Sequence, residues 1–239
     1  MRGILVKVAV LVAYGGLAAC GDDGGAPPDG PGGPDATDSG DARCGADLLL
    51  TGELVDFDWS EANPIGVNGA VWTVVGDEAR TDTTAPNGRV EICIARTGRS
   101  QITVDVPDDP PYMDGYYIAD PAVFSGGRTF SVRDASPARL QQMFEDALGE
   151  GVLPLDPTAG QLLVEVQGTA AAVALTGVAS QRTLASADGA AWSEGASGRY
   201  VVFANVTPGT GTVAMDGAVG GGPVPLETNR WTMTTLAAP

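Results

Sequence analysis

The chain has 239 residues, and its 30 acidic side chains outnumber its 13 basic ones, which gives a net charge of −17 at pH 7. An acidic surface repels nucleic acid, so nucleic acid is excluded as an expected partner. The chain contains no histidine and no lysine after Lys7, which removes most pairings of a nucleophile with a base. We therefore expect a protein that is not an enzyme and that carries no cofactor.

The first 19 residues have the pattern of a secretory signal, with basic Arg2 and Lys7, an apolar run, and small residues at the end. The apolar run is shorter than the roughly 20 residues that a membrane-spanning helix needs. The segment Leu17-Ala18-Ala19-Cys20 resembles the cleavage site of bacterial lipoproteins. This resemblance implies cleavage before Cys20, a lipid on its sulfur, and a protein anchored to a membrane of the bacterial cell envelope, on a face that stays undetermined. An ordinary secretory signal and an uncleaved anchor are the alternatives.

Residues 20–43 predict a lipid anchor followed by a disordered linker. After Cys20 the segment has no aliphatic side chain larger than alanine, and glycine, proline and aspartate dominate it. Such a composition buries too little apolar surface to offset the entropy lost on ordering. Calcium binding by the aspartates of this segment is an alternative, but these residues lack the spacing of an EF-hand loop.

The two remaining cysteines, Cys44 and Cys93, predict a disulfide, because the compartment beyond the inner membrane is oxidising. Cys93 lies in an alternating strand whose apolar members are Val90, Ile92 and Ile94. Alternate residues share a face, so Cys93 is expected to point away from the core. Two separate reduced thiols are the alternative.

The first half of the folded body, residues 44–134, predicts a β-sandwich. Short runs rich in β-branched and apolar residues are separated by glycine, proline, asparagine and aspartate, as in all-β domains. The predicted strands are Asp47–Val55, Ala70–Val75, Arg80–Thr84, Arg89–Ile94, Gln101–Val106, Tyr116–Ala119 and Thr129–Arg133.

One helix is predicted within residues 135–150. Ser136-Pro137 supplies a helix N-cap and a proline at the first helical position. Apolar residues then recur every four positions, and Gly149 is suited to the C-terminal end. We expect this helix to pack at the junction between two halves of the body.

The β pattern resumes in residues 151–239 and predicts a second sandwich. The strands predicted there are Gln161–Gln167, Ala172–Thr176, Gln181–Ala185, Arg199–Val206, Gly211–Met215 and Arg230–Leu236.

Three motifs of the first half, Gly52–Asp56, Gly69–Val74 and Thr83–Arg89, resemble the carboxypeptidase regulatory-like domain. The second half resembles it again at Gly198-Arg199-Tyr200 but lacks a clear Gly-Ala strand. The resemblance implies tandem transthyretin-like Greek-key β-sandwiches, with one short helix at the junction and a disordered tether before them. It also implies an accessory, adhesive or ligand-binding module without catalytic residues. The fold alone does not define which of these functions the chain has.

The best candidate for a ligand site is the loop at residues 108–117, which combines tyrosines and aspartates between prolines. Aromatic rings beside carboxylates can stack on a sugar and accept its hydroxyls, or the carboxylates can coordinate calcium, although no resident metal is predicted. The alternative is that the tyrosines close the sandwich core. The candidate ligand-binding residues are Asp108, Asp109, Tyr112, Asp114, Tyr116 and Tyr117.

These observations predict a lipid-anchored envelope protein that acts as a non-catalytic binding or adhesive module, with a glycan or another envelope protein as its partner. A structural or assembly component of the envelope is one alternative. A glycosidase that uses two carboxylates is another. A deep cleft holding two carboxyl groups of raised pKa would favour the glycosidase.

Overall fold

The computed structural model describes residues 42–57, 65–108, 111–124 and 129–238. The predicted signal peptide, the lipid site at Cys20 and most of the predicted linker lie outside these residues. In the part of the chain that the structure describes, no helix combines the length and the apolar character needed to span a bilayer.

The fold is all-β, as predicted, and every predicted strand is present. The described residues form fifteen strands and two short helices. They are β1 (Leu48–Asp56), β2 (Val71–Val74), β3 (Asp77–Thr83), β4 (Arg89–Ile94), β5 (Ser100–Asp105), β6 (Gly115–Ala119), α1 (Pro121–Phe124), β7 (Phe130–Asp134), α2 (Pro137–Leu148), β8 (Gly160–Gln167), β9 (Val173–Thr176), β10 (Ser180–Ser186), β11 (Ser193–Glu194), β12 (Tyr200–Val206), β13 (Gly209–Met215), β14 (Gly222–Leu226) and β15 (Trp231–Ala237).

Strand β14 was not predicted, and its sequence explains why. It contains Pro223 and Pro225, which argue against a strand because proline cannot donate a hydrogen bond to a neighbour. In the structure β14 is at the edge of its sheet, where it pairs only with β13 among the described strands. At an edge, the missing donors cost little.

The described strands form three sheets. The largest has nine strands in the order β11-β10-β12-β8-β15-β6-β5-β2-β3, and the two smaller sheets are β4-β1-β7 and β14-β13-β9. In the large sheet the C-terminal strand β15 runs parallel to β8 on one side and to β6 on the other. Strand β15 therefore joins the strands of the two predicted halves into one sheet.

The two smaller sheets cover opposite faces of the large sheet. One core lies under the β4-β1-β7 sheet and helix α2, and it contains Trp72 and Met233 of the large sheet. The other lies under the β14-β13-β9 sheet and contains Leu162 and Leu236. Because both faces are covered, all seven residues of β12 and of β15 are buried, not just alternate ones.

Helix α2 lies within the predicted connector at residues 135–150 and follows the seven strands of the first half. The large sheet nevertheless continues across this boundary, and the described residues belong to a single compact unit. The division of the folded body into one sandwich at residues 44–134 and a second at 151–239 stays a prediction.

Helix α2 and the disulfide are both confirmed. The hydroxyl of Ser136 accepts a hydrogen bond from the Arg139 amide at 3.2 Å, and Leu140 and Phe144 are fully buried. Cys44 and Cys93 are bonded, with their Cα atoms 5.4 Å apart. The disulfide fastens the start of the folded body to the outer face of β4, whose apolar residues face the core.

Candidate functional site

The predicted loop site is not a single surface. Tyr116 and Tyr117 are consecutive residues of β6, so their side chains point to opposite faces of the large sheet. Each enters a different core: Tyr117 is fully buried and Tyr116 is 8% exposed. The expectation that they share one exposed patch with Tyr112 is therefore corrected, because both faces of this sheet are covered.

The rest of that loop closes one end of the first sandwich. The Tyr112 hydroxyl donates to Asp56 Oδ2 at 2.5 Å, and Asp114 Oδ1 accepts from the Val106 amide at 3.0 Å. Asp108 and Asp114 are exposed, while Asp109 lies outside the described residues. No group of three or more metal-ligating side chains occurs among the described residues. Ligand binding by the exposed carboxylates of this loop stays a prediction.

A buried carboxyl group lies next to this loop. Asp134 is fully buried, and its Oδ1 atom accepts a hydrogen bond from the Ala135 amide at 2.7 Å. Its Oδ2 atom has no hydrogen-bond partner. Burial raises the pKa of Asp134 well above its usual range, and the charges of Asp114 and Asp56 act in the same direction.

The strongest candidate site lies elsewhere, in an open cleft of about 880 Å³. One wall is the beginning of β7, and the other is formed by the end of β8 and the residue before β12. The cleft is lined by Thr129, Phe130, Ser131, Glu165, Val166, Gln167, Gly168, Ala187, Arg199 and Ala238. Below, this feature is called the Glu165 cleft.

Glu165 is the unusual group in this cleft. It is only 7% exposed, and the nearest guanidinium nitrogen of Arg199 is 3.9 Å from its Oε1 atom. Its Oε2 atom is buried and has no hydrogen-bond partner. Burial raises the pKa of Glu165 to about 7, although the positive charges of Arg199 and Arg133 oppose this change. A carboxyl group of this kind, on the wall of a cleft, is a common sign of a binding or catalytic site.

Tyr200 and two arginines lie next to Glu165. The guanidinium groups of Arg133 and Arg199 both contact the Tyr200 ring, with their central carbons 4.2 Å and 5.2 Å from its centroid. Arg133 is 1% exposed and donates to the Asp188 carbonyl at 3.3 Å. The contact with Tyr200 holds Arg199 beside the cleft, next to the Glu165 carboxyl group.

Further buried polar atoms converge on the same place. The hydroxyl oxygen of Ser131 and the Oε2 atom of Glu165 are buried and have no hydrogen-bond partner. Both residues line, together with Tyr200, a small cavity of about 10 Å³. Buried polar groups are normally paired, so two unpartnered ones at one place are unusual.

The sequence analysis did not select these residues, although one signal was present. Glu165 is the charged residue in the run Leu162-Leu163-Val164-Glu165-Val166. A charge inside an otherwise apolar strand is costly to bury, so it points to a functional or paired group. The proximity of Ser131 and Arg199 to Glu165 depends on how three strands meet, which strand patterns do not reveal.

Among the described residues that line the cleft, Glu165 is the one carboxyl group, so these residues do not supply the carboxyl pair that a glycosidase uses. Asp134, whose pKa is also raised, is not among them. Glycoside hydrolysis needs two carboxyl groups that flank one bond.

Comparisons with known proteins give weak structural likenesses. No protein-family model and no curated protein matches the chain, so the resemblance to the carboxypeptidase regulatory-like domain is not confirmed. Among solved structures the chain is similar to the Bacillus anthracis TIE protein, with 12% identity and a TM-score of 0.25 over 80% of this chain but only 33% of that one.

The chain is also similar to a shaft pilin from Lactobacillus rhamnosus GG, with 11% identity and a TM-score of 0.27 over 81% of this chain and 98% of the pilin. A minor pilin of Streptococcus agalactiae aligns with 8% identity and a TM-score of 0.22 over 79% and 94% of the two chains. TM-scores this low carry no inference about function.

Proposed function

We propose that this chain is a lipid-anchored protein of the bacterial cell envelope that binds a polar ligand non-catalytically in the Glu165 cleft. The signal-like segment that ends in Leu17-Ala18-Ala19-Cys20 supports the anchor. The composition supports binding without catalysis, because the body of the protein has neither histidine nor lysine to act as a base.

The observation that carries the proposal is the nearly buried carboxyl group of Glu165, which lines a cleft of about 880 Å³ beside Arg199. The ionised carboxyl group accepts hydrogen bonds, whereas the neighbouring Arg199 guanidinium donates them. Together they recognise a group that both donates and accepts, such as a hydroxyl or an amide. Because one negative and one positive side chain line the cleft, it suits an uncharged polar ligand.

The test compares the full chain, purified in detergent, with the variants Glu165→Gln and Glu194→Gln. Glu194 is an exposed glutamate of β11 outside the cleft, so its variant is a matched control for the loss of one charge. Panels of neutral oligosaccharides and neutral peptides are screened for an increase in unfolding temperature. A ligand at a hundred times its Kd stabilises the folded state by about 2.7 kcal/mol.

We expect at least one compound to stabilise the wild-type chain and the Glu194→Gln variant but not Glu165→Gln. If no compound in either panel binds, or if Glu165→Gln binds as well as the wild type, the Glu165 cleft is not the binding site.

A further inference from the structure

We propose that the small cavity next to Glu165 is a binding site for one internal water molecule, which bridges the Ser131 hydroxyl and the Oε2 atom of Glu165. This site is distinct from the ligand site proposed for the Glu165 cleft. Because Ser131 belongs to β7 and Glu165 to β8, the water connects two different sheets of the fold.

The first argument is the volume of the cavity, which is about 10 Å³. A cavity needs roughly 10–15 Å³ to hold one water molecule, so this space fits a single water. A larger ligand has to displace side chains of the core to enter it. The size of the cavity therefore selects water.

The second argument is that two polar atoms at the cavity need a partner. The hydroxyl oxygen of Ser131 and the Oε2 atom of Glu165 are buried and form no hydrogen bond with another group of the protein, and both residues line the cavity. A buried polar group without a partner lowers the stability of the folded state. A molecule that bonds to both atoms removes this cost.

A third partner comes from the hydroxyl groups of Tyr117 and Thr235, which also line the cavity. Their oxygens are 3.1 Å apart, so one hydroxyl donates a hydrogen bond to the other. The two hydroxyls carry two hydrogens, and this bond uses one of them. The second hydrogen is available to the water, which brings its partners to three, the usual number for a buried water.

The register of the strands brings these polar groups together. Thr235 of β15 is the direct neighbour of Glu165 in β8, so both residues belong to the same face of the large sheet. Tyr117 of β6 belongs to this face as well, because its neighbour in β15 is Met233, two residues before Thr235. Ser131 comes from the β4-β1-β7 sheet, which covers this face.

Water also suits both protonation states of Glu165. An ionised carboxyl group only accepts hydrogen bonds, whereas a protonated one can also donate. Burial raises the pKa of Glu165 to about 7, so both states are populated near neutral pH. A water molecule donates to the first state and accepts from the second, which a fixed side-chain donor cannot do.

The water gives the two oxygens of Glu165 different roles. Oε2 is committed to the interior, while Oε1 is 3.9 Å from the nearest guanidinium nitrogen of Arg199. Oε1 is thus the oxygen available to a ligand in the Glu165 cleft. This consequence rests on the proposed function, whereas the water site itself does not.

The direct test is a crystal structure of the full chain, purified in detergent, at a resolution that shows ordered water. We expect one water molecule at roughly 2.5–3.0 Å from both Ser131 Oγ and Glu165 Oε2. A cavity without water overturns the proposal, and so does a direct hydrogen bond between the two side chains.

A test in solution compares the variants Ser131→Thr and Ser131→Val, which have the same shape and differ in one group. Threonine keeps the hydroxyl, whereas valine has a methyl group in its place. Nuclear Overhauser contacts between a bound water and hydrogens of residues 131 and 165 detect the water.

We expect these contacts in the wild type and in Ser131→Thr, and their loss in Ser131→Val, because a methyl group cannot form the hydrogen bond. Thermal unfolding verifies that both variants are folded. Contacts that are absent from the wild type, that persist in Ser131→Val, or that are lost in both variants contradict a water held by the Ser131 hydroxyl.

The outcomes separate this inference from the proposed function. If the water is absent but a neutral compound stabilises the wild type and not Glu165→Gln, the cleft is a binding site and the water site is wrong. If the water is present but no compound binds, the water site is confirmed and the proposed function is wrong.

Discussion

The burial of Glu165 disfavours its ionised form and so makes the stability of the protein depend on pH. Its pKa is raised to about 7 by burial, whereas an unfolded chain leaves it near 4.5. The folded state therefore prefers the protonated form. The stability that this preference contributes is present below about pH 4.5 and is lost as the pH rises through about 7. The ionised Glu165 carboxyl group therefore lowers the stability of the folded state near neutral pH, and groups that do so are typical of binding sites.

The substitution Glu165→Gln tests this relation, because glutamine has the same shape and does not titrate. We expect the free energy of unfolding of the variant, relative to the wild type, to rise by about 3 kcal/mol between about pH 4.5 and 7. Urea unfolding at several pH values measures this difference. The exposed control Glu194→Gln should show no comparable trend, and a flat difference for Glu165→Gln would mean that the carboxyl group is not desolvated.

Asn205 shows how one buried amide organises an irregular strand. It has a positive φ of 49°, is 3% exposed, and lies where the pairing of β12 with β8 shifts register. Its Oδ1 atom accepts from the Asp156 amide and from Gln161 Nε2, both at 3.0 Å. Its Nδ2 atom donates to the Pro154 carbonyl at 2.8 Å. The side chain is thus committed to holding the connection before β8.

We expect Asn205→Ala to destabilise the protein by about 3 kcal/mol, because the change leaves several buried polar groups unpaired. The matched control is Asn229→Ala, since Asn229 also has a positive φ, 55°, but is exposed. The control removes only the preference of asparagine for this backbone conformation and should cost about 1 kcal/mol. Equal losses in urea unfolding of the two variants would show that the buried hydrogen bonds of Asn205 contribute little.

Helix α2 is the element that the sequence predicts most completely. Its start, its apolar face and its end are all local signals, and its buried residues cover the large sheet together with the β4-β1-β7 sheet. The Gly149 amide donates to the Glu145 carbonyl at 2.8 Å, which closes the last turn. The helix therefore forms part of the first core and is not only a connector.

The cap of this helix gives a quantitative test. Replacing Ser136 with alanine removes the hydroxyl that accepts from the Arg139 amide, and we expect a loss of about 1 kcal/mol in the free energy of unfolding. Ser193→Ala, at an exposed position of β11, serves as the control and should change stability by less than about 0.5 kcal/mol. Comparable losses in the two variants would argue that the cap does not stabilise α2.

The molecule as a whole is organised by its C-terminal strand. Since β15 pairs with β6 and with β8, the large sheet and both cores depend on it. Tyr116 and Ile118, from the first half, pack in the core of the second. We therefore expect the two halves to unfold together.

Thermal unfolding of the full chain in detergent, followed by tryptophan fluorescence and by far-ultraviolet circular dichroism, should give a single transition with the same midpoint by both probes. Two separated transitions would show that the sandwiches are independent units despite the shared sheet.

Attachment to the membrane is tested at Cys20. The substitution Cys20→Ser should release the protein from membranes and abolish palmitate incorporation, because the thiol that would carry the lipid is lost. Fractionation of cells that express wild type and variant measures both effects. A variant that stays bound to membranes and still incorporates palmitate would contradict lipid attachment at Cys20.

The sequence by itself determined thirteen of the fifteen described strands, helix α2 and the Cys44–Cys93 disulfide. The strands and the helix depend on side-chain periodicity and capping over a few residues, and the disulfide was predicted from the number of cysteines and the oxidising compartment. Only the tertiary structure decided that the chain builds one continuous nine-stranded sheet, that both faces of its centre are covered, and that Glu165 is buried beside Ser131 and Arg199. These features depend on pairing between residues distant in the chain, as in the contact of Trp231 with Gly115 across β15 and β6. Long-range pairing is set by the packing of whole sheets, which no short sequence pattern encodes.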